Sequence, residues 1–328
     1  MEKERNKQGE REENESVKVA GQSENGGKEP TSKKDNSIIF AHLVAVITVA
    51  CWGCTFVNTK YLLRDGLEPQ EIFIVRFLLA YLCIWWISPK KIFCESWTDE
   101  LTMLVLGVTG GSMYFLSENT AVGLTYVNNV AFIVCTAPLI TTCLAITFIK
   151  SIKASSLLII GSLTALAGVG AVIFNGHFVL HLSPSGDLLA LTAAICWAVY
   201  SLVMKRASQK YSALFITRKV FFYGIITILP VFLFQHWNFP LDHFRKTEVW
   251  VNLLFLGIVA SFICFLLWNW VIGKIGALKA SNYIYLNPIT TVIASALFLN
   301  EPLTPIACLG GGLILIGVFL ANNAKHLG

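Results

Sequence analysis

The chain of 328 residues is 55% hydrophobic and 14% charged, with a formal net charge of +5 and a mean hydropathy of +0.64. A soluble globular domain usually carries about 25% charged residues, so this composition excludes an ordinary water-soluble enzyme or binding module. The small positive excess lies in loops and does not form a nucleic-acid-binding face.

The first 36 residues stand apart, holding eight Lys/Arg and nine acids, few apolar residues and no aromatic. Such a segment cannot bury enough surface to offset its ordering entropy and is expected to be a disordered, charged cytoplasmic tail, residues 1–36. No apolar core precedes Ile38, so it does not read as a signal peptide. Ten apolar stretches follow, at 38–57, 71–88, 101–122, 125–149, 154–174, 186–206, 213–234, 249–273, 277–299 and 305–322. A helix rises about 1.5 Å per residue, so roughly 20 apolar residues cross the hydrocarbon core. Barrel strands are shorter and alternate. The fold class is therefore all-α integral membrane, with ten transmembrane helices. Lys and Arg favour cytoplasmic loops. With the N-terminus inside, internal segments after the tail hold ten (Lys90, Lys91, Lys150, Lys153, Lys205, Arg206, Lys210, Lys274, Lys279, Lys325) and external loops four (Lys60, Arg64, Arg245, Lys246). Both termini are expected to be cytoplasmic.

The chain repeats itself. Trp52 and Lys60 match Trp197 and Lys205, a shift of 145; Phe73 to Arg76 match Phe215 to Arg218, a shift of 142; Asn119, Gly123, Pro138 and Gly161 match Asn269, Gly273, Pro288 and Gly311, a shift of 150. The shifts differ only by loop-sized gaps. Each half, 38–174 and 184–322, then holds five spans, an odd number, and the second half enters the membrane inverted. Inverted repeats characterise secondary transporters, whose halves enclose a site near the midplane.

Function must lie in the polar groups that lipid excludes. Glu118 is the one acid inside a span. Insertion scales put an ionisable group at that depth at several kcal/mol, so it should face the interior and find a partner. It either binds a substrate amine or carries a coupling proton, or it is a structural acid bonded to a neighbouring helix. Arg76 and Arg218, repeat mates, either clamp an anionic group or serve as gates or anchors that snorkel to opposite surfaces; the anchor or gate reading is preferred, because both lie near an interface. Pro138 and Pro288 should kink matching spans, with Asn128, Asn129, Asn282, Tyr283 and Tyr285 one to three turns earlier. Asn119 and Asn269 form a further repeated pair. Trp52, Trp197 and Tyr200 read equally as pore lining or as belt and packing residues.

Other features carry less. The nine cysteines form no disulfide framework, most lying inside apolar segments. The six histidines are scattered; His177 and His181 share i,i+4 spacing but have no third ligand in view, so no metal site is expected. Glycines crowd two spans (Gly161, Gly168, Gly170; Gly310, Gly311, Gly312, Gly317) and read as helix packing or a homodimer contact. No Walker-type sequence and no cofactor motif is present.

Trp52-Gly53 with Phe56, Lys60 and Arg76-Phe77 resemble the opening of an EamA domain of the drug/metabolite transporter superfamily. So do Gly186-Asp187-Leu188 and Trp197-Ala198-Val199-Tyr200 with Lys205. Asn300-Glu301-Pro302-Leu303-Thr304, Gly311 and Ile316-Gly317-Val318 resemble its ending. The resemblance covers about residues 38–322. It implies two inverted five-helix halves working by alternating access on small metabolites, often outward, across a bacterial inner membrane. Lys150 and Ser151 stand near where Glu301 stands in the second half, which argues against a symmetric role for Glu301. The leading expectation is a secondary transporter of a small polar, amphipathic or amino-acid-like solute, driven by protons or by exchange. A membrane-embedded enzyme, or a sensor or scaffold signalling through the tail, is the alternative; no cluster of catalytic side chains at one depth favours the enzyme.

Overall fold

The computed structural model describes residues 31–88, 92–125, 127–149, 155–174, 183–238, 244–290, 293 and 304–324. Residues 1–30, Asn300, Glu301, Lys150, Lys153, His177 and His181, and the side chain of Asn129, lie outside the described set. The chain divides into two compact units, Met1–Phe40 and Ala41–Gly328. The described part of the first is helical. The second is all-helical, with no strand among the described residues.

In chain order the helices are α1 (Thr31–Arg64), α2 (Pro69–Ile87), α3 (Trp97–Gly107), α4 (Met113–Leu124), α5 (Val127–Val134), α6 (Ala137–Phe148), α7 (Ser156–Phe174), α8 (Pro184–Ala207), α9 (Ala213–Ile228), α10 (Thr247–Leu254), α11 (Cys264–Ile275), α12 (Ala277–Asn282) and α13 (Pro305–Asn322). Seven described helical stretches are long and apolar enough to cross a bilayer: Ser37–Arg64, Pro69–Ile87, Val130–Phe148, Ser156–Ile173, Pro184–Ala207, Ala213–Leu233 and Thr247–Ile275, with a shorter apolar helix at Cys308–Asn322. Trp97 to Leu124 is helical on either side of a kink at Gly111 (φ −126°, ψ −107°), carries Ser112, Ser117, Glu118, Asn119 and Thr120, and is not among the seven. Trp86, Phe148 and Phe319 are exposed on the outside of the bundle, as lipid contact requires.

Local chemistry sets the turns. α1 stops at Gly66, whose φ of +104° is open to glycine at little cost, and Leu67 N–H caps the Leu62 carbonyl at 3.0 Å. Pro69 then opens α2, and Glu71 reaches back to the Glu68 N–H at 2.8 Å. Gly276, at φ +87°, turns the chain from α11 into α12.

Among the described residues, several interruptions fall inside the spans, including a 3₁₀ segment at Leu229–Leu233. A π-helical segment, Val108–Ser112, joins α3 to α4, and another, Phe255–Ile263, joins α10 to α11. With a shift of 150 the first falls within the second. The fourth span breaks at Cys135-Thr136, and Pro138 sits in the first turn of α6, where its missing N–H costs no helical bond. After α12 the chain tightens into a 3₁₀ turn, Tyr283–Leu286, immediately before Pro288.

Glycines set the closest approaches. A Cβ on Gly317 would lie 2.3 Å from Ala165 N, and one on Gly168 would lie 2.6 Å from Gly310 O, so this stripe packs α7 against α13 within one chain. A Cβ on Gly311 or Gly312 would meet no other element within 4 Å among the described residues.

Candidate functional site

A small cavity of about 40 Å³ lies among the spans. Arg76 from α2 and Tyr114 and Glu118 from α4 supply its ionisable and hydroxyl groups, and Asn287 and Thr55 add further polar edges. Trp52, Phe56, Phe115, Trp197 and Phe265 make most of its wall. An apolar, aromatic pocket with a few convergent polar groups is the usual form of a small-molecule site.

Arg76 is only 2% exposed. Its Nε donates to Ser261 Oγ at 2.9 Å, and its guanidinium carbon lies 4.2 Å from the centre of the Phe115 ring. Ser261 belongs to the second π segment, so that interruption of the helix helps seat the arginine. No hydrogen bond from the two Nη groups occurs among the described residues, so most of the fork remains for a ligand. Tyr114 OH donates to Glu118 Oε1 at 2.7 Å, a contact across one turn of α4. Arg76 and Glu118 face one cavity but do not meet as an ion pair within 4 Å. A cation and an anion held apart in one pocket suit a solute that carries both charges.

The aromatic wall is continuous. Trp52 meets Trp197 edge-on with centroids 5.3 Å apart, Trp268 at 5.1 Å and Phe265 at 5.8 Å; Trp197 meets Tyr114 at 5.1 Å. Trp52 Nε1 donates to the Ala260 carbonyl at 2.9 Å. The π turn explains why that carbonyl is available: Cys264 N–H bonds Val259 O and Ser261 O and bypasses Ala260 O. Trp197, 5% exposed, has no acceptor for its Nε1–H among the described residues. A buried donor left unpaired costs about 1–3 kcal/mol.

Other residues singled out from the sequence stand elsewhere. Tyr200 donates to Asn269 Oδ1, and Asn269 Nδ2 donates to Thr217 Oγ1 at 2.8 Å, tying α8, α11 and α9 together beside the cavity. Asn119 Nδ2 bonds Pro69 O at 3.3 Å. Asn282 bonds Asn322 Oδ1 at 2.9 Å. Tyr285 is fully buried and, like Pro138 and Pro288, does not line the cavity. Arg218, also buried, has its guanidinium 5.9 Å from Trp85 and 5.4 Å from Phe215, away from the cavity. Sequence reasoning assigned no role to Tyr114, Thr55, Phe265, Ser261 or Asn287. Tyr114 carried a signal, its i,i+4 spacing to Glu118; Ser261 carried none, because nothing in the sequence marks a π turn.

Polar contacts tie each end of the bundle. At one end Lys210 Nζ bonds Asp99 Oδ2 at 2.5 Å and Glu95 Oε2 at 3.2 Å, and Tyr211 OH donates to Asp99 Oδ2 at 2.7 Å. Those bonds from Lys210, Tyr211 and Ser96 hold the Asp99 carboxyl down to about 2, and the same pairing raises Lys210. Beside it Lys219 grips both oxygens of Glu100, at 2.7 and 2.9 Å. Burial pushes the Glu100 carboxyl up, but Lys219, Cys94 N–H and Tyr223 together outweigh it and leave it below its ordinary value. At the opposite end Lys246 Nζ donates to Asp65 Oδ1 at 2.7 Å and Asn58 Nδ2 to Asn252 Oδ1 at 2.6 Å.

A multi-pass helical membrane protein with a buried, charge-bearing cavity is what these features define. The chain belongs to the EamA-like transporter family, whose model matches residues 39–174 and again 184–323. A protein of Archaeoglobus fulgidus described as an uncharacterized transporter is 25% identical over 289 residues, covering 87% of this chain and 98% of that protein. A Salmonella typhimurium protein named as a probable amino-acid metabolite efflux pump is 26% identical over 290 residues, covering 84% and 93%. A crystal structure aligns with a TM-score of 0.68 at 15% identity, over 87% of this chain and 96% of the other, a likeness of fold.

Proposed function

We propose that the chain is a secondary active transporter that exports a small, amphipathic, amino-acid-like solute by alternating access. In this reading, ten spans form two inverted halves, residues 38–174 and 184–322, and both termini face the cytoplasm of a cell whose inner membrane holds the protein. Repeated contacts support the inverted halves. Lys60 Nζ donates to Val122 O at 3.0 Å, and its repeat mate Lys205 donates to Gly273 O at 3.2 Å. A Cβ on Gly107 would strike Tyr223 Cβ at 2.4 Å, and one on Gly257, its mate by the shift of 150, would strike Leu79 Cβ at 2.8 Å. Each half thus presses the same glycine of its third span against the second span of the other.

The observation that carries the substrate reading is the separated pair in one aromatic pocket. Arg76 offers a fork to a carboxylate, Glu118 accepts an ammonium group, and the indole and phenyl walls take an apolar side chain. Efflux in the name of the Salmonella relative supports the outward direction. Glu118 is also the residue through which a proton would couple, by exchanging places with the ammonium group. The protein requires a bilayer and no nucleic acid or cofactor in this scheme, and a homodimer through the open glycine face of α13 is compatible with it.

The test is uptake of radiolabelled leucine, methionine and phenylalanine into proteoliposomes under an imposed pH gradient. Wild-type protein should accumulate at least one of them, with a rate that depends on the gradient. Glu118→Gln should fold and insert normally yet lose gradient-driven accumulation. Full, normally pH-dependent uptake by that variant removes Glu118 from the mechanism.

A further inference from the structure

The repeat makes Trp52 and Trp197 equivalent in sequence, but their indoles are employed differently. Trp52 Nε1 is occupied by Ala260 O, the carbonyl that the π turn in the third span of the second half bypasses. The third span of the first half has its own π turn, where Met113 N–H bonds Val108 O and bypasses Thr109 O. No bond from Trp197 to that segment exists; a Cβ on neighbouring Gly110 would lie 2.2 Å from the Tyr200 ring, so Tyr200 fills that space one turn further along α8. Trp197 therefore lines the cavity and carries a buried donor with no acceptor among the described residues. Trp268 also has an unpaired indole N–H but does not line the cavity.

We infer that Trp197 is a specificity-determining residue whose indole N–H donates to the anionic head of the solute, alongside the Arg76 fork, whereas Trp52 is a structural pin on the second π turn. The inference rests on the substrate reading above and deepens it. Arg76 supplies charge, which any small anion satisfies. A neutral donor from α8, across the cavity from α2, supplies direction, because a carboxylate has two oxygens and can accept from both sides at once. Arg76 and Trp197 line one cavity from different halves, so an anionic head that takes both donors joins the halves when bound.

The experiment measures Kd for radiolabelled phenylalanine on purified wild-type protein, Trp197→Phe and Trp52→Phe, with melting temperatures, and repeats the competition with phenethylamine, which keeps ring and amine but has no carboxylate. Trp197→Phe should weaken phenylalanine about tenfold, or about 1.4 kcal/mol, at an unchanged melting temperature, and should leave phenethylamine competition unaltered. Trp52→Phe should lower the melting temperature, and because Trp52 is part of the cavity wall its loss of affinity should fall on phenylalanine and phenethylamine alike. Wild-type affinity in Trp197→Phe overturns the inference, as does an equal loss for phenylalanine and phenethylamine, which would mean altered packing. If wild-type protein binds neither phenylalanine nor leucine nor methionine, the substrate reading itself falls and takes this inference with it.

Discussion

The two halves share a backbone plan and differ in chemistry. Where the first half places Glu118 and Tyr114 on its third span, the shift of 150 leads to Trp268 and Cys264 in the second. Where Arg76 lines the cavity with Ser261 and Phe115, its mate Arg218 lies against Trp85 and Phe215 outside it. The charged groups of the cavity come from the first half, whereas both halves supply its aromatic wall. The repeat governs how helices pack and bend in these spans; it does not require that both halves bind.

The largest effect should come from removing the charge that the comparison sets apart. Arg76→Gln should lower transport about 10- to 100-fold, the worth of a charge-assisted hydrogen bond or two, while Arg218→Gln should change it less than about threefold; initial rates in proteoliposomes decide. Equal losses would mean that the arginines act alike and that the asymmetry is misread.

The next prediction concerns packing, where the halves should behave as equals. Gly107→Val and Gly257→Val each push a side chain into the opposing second span. Overpacking of this kind costs about 1–3 kcal/mol, so both melting temperatures should drop by similar amounts. A large drop for one and none for the other would break the repeated contact.

The smallest effect belongs to the polar end contacts. Asp99 titrates at about 2 in the folded protein against an ordinary 3.8. Its stabilisation is complete above about pH 3.8 and is lost as pH falls towards 2. Melting curves between pH 5 and 2 should show that decline, and Lys210→Ala should shrink it. Because Lys210 is well exposed, added salt should weaken it too.

The sequence exposed the spans and the repeats because lipid imposes length and apolarity on every crossing, and because glycine, proline and lysine mark packing and helix ends. Glu118 stood out for the same reason. The cavity was much less legible. Arg76 read as an anchor or gate from its distance to a helix end, yet its side chain points inward, where Ser261 and Phe115 hold it. Tyr200 read equally as pore lining or as packing, and in the folded bundle its hydroxyl donates to Asn269. Depth along a helix can be counted from sequence; rotation about its axis depends on neighbours that only the folded bundle supplies, and the two π turns shift that rotation again.

The separated cation and anion of the cavity are tested most directly by competition against labelled phenylalanine with phenethylamine and with phenylpropionate, which lack the carboxylate and the amine respectively. In wild-type protein both analogues should compete at least tenfold more weakly than phenylalanine. Arg76→Gln should shrink the handicap of phenethylamine alone, and Glu118→Gln that of phenylpropionate alone. Analogue rankings that stay the same in both variants would contradict the account, because the charges that select the solute would then lie elsewhere.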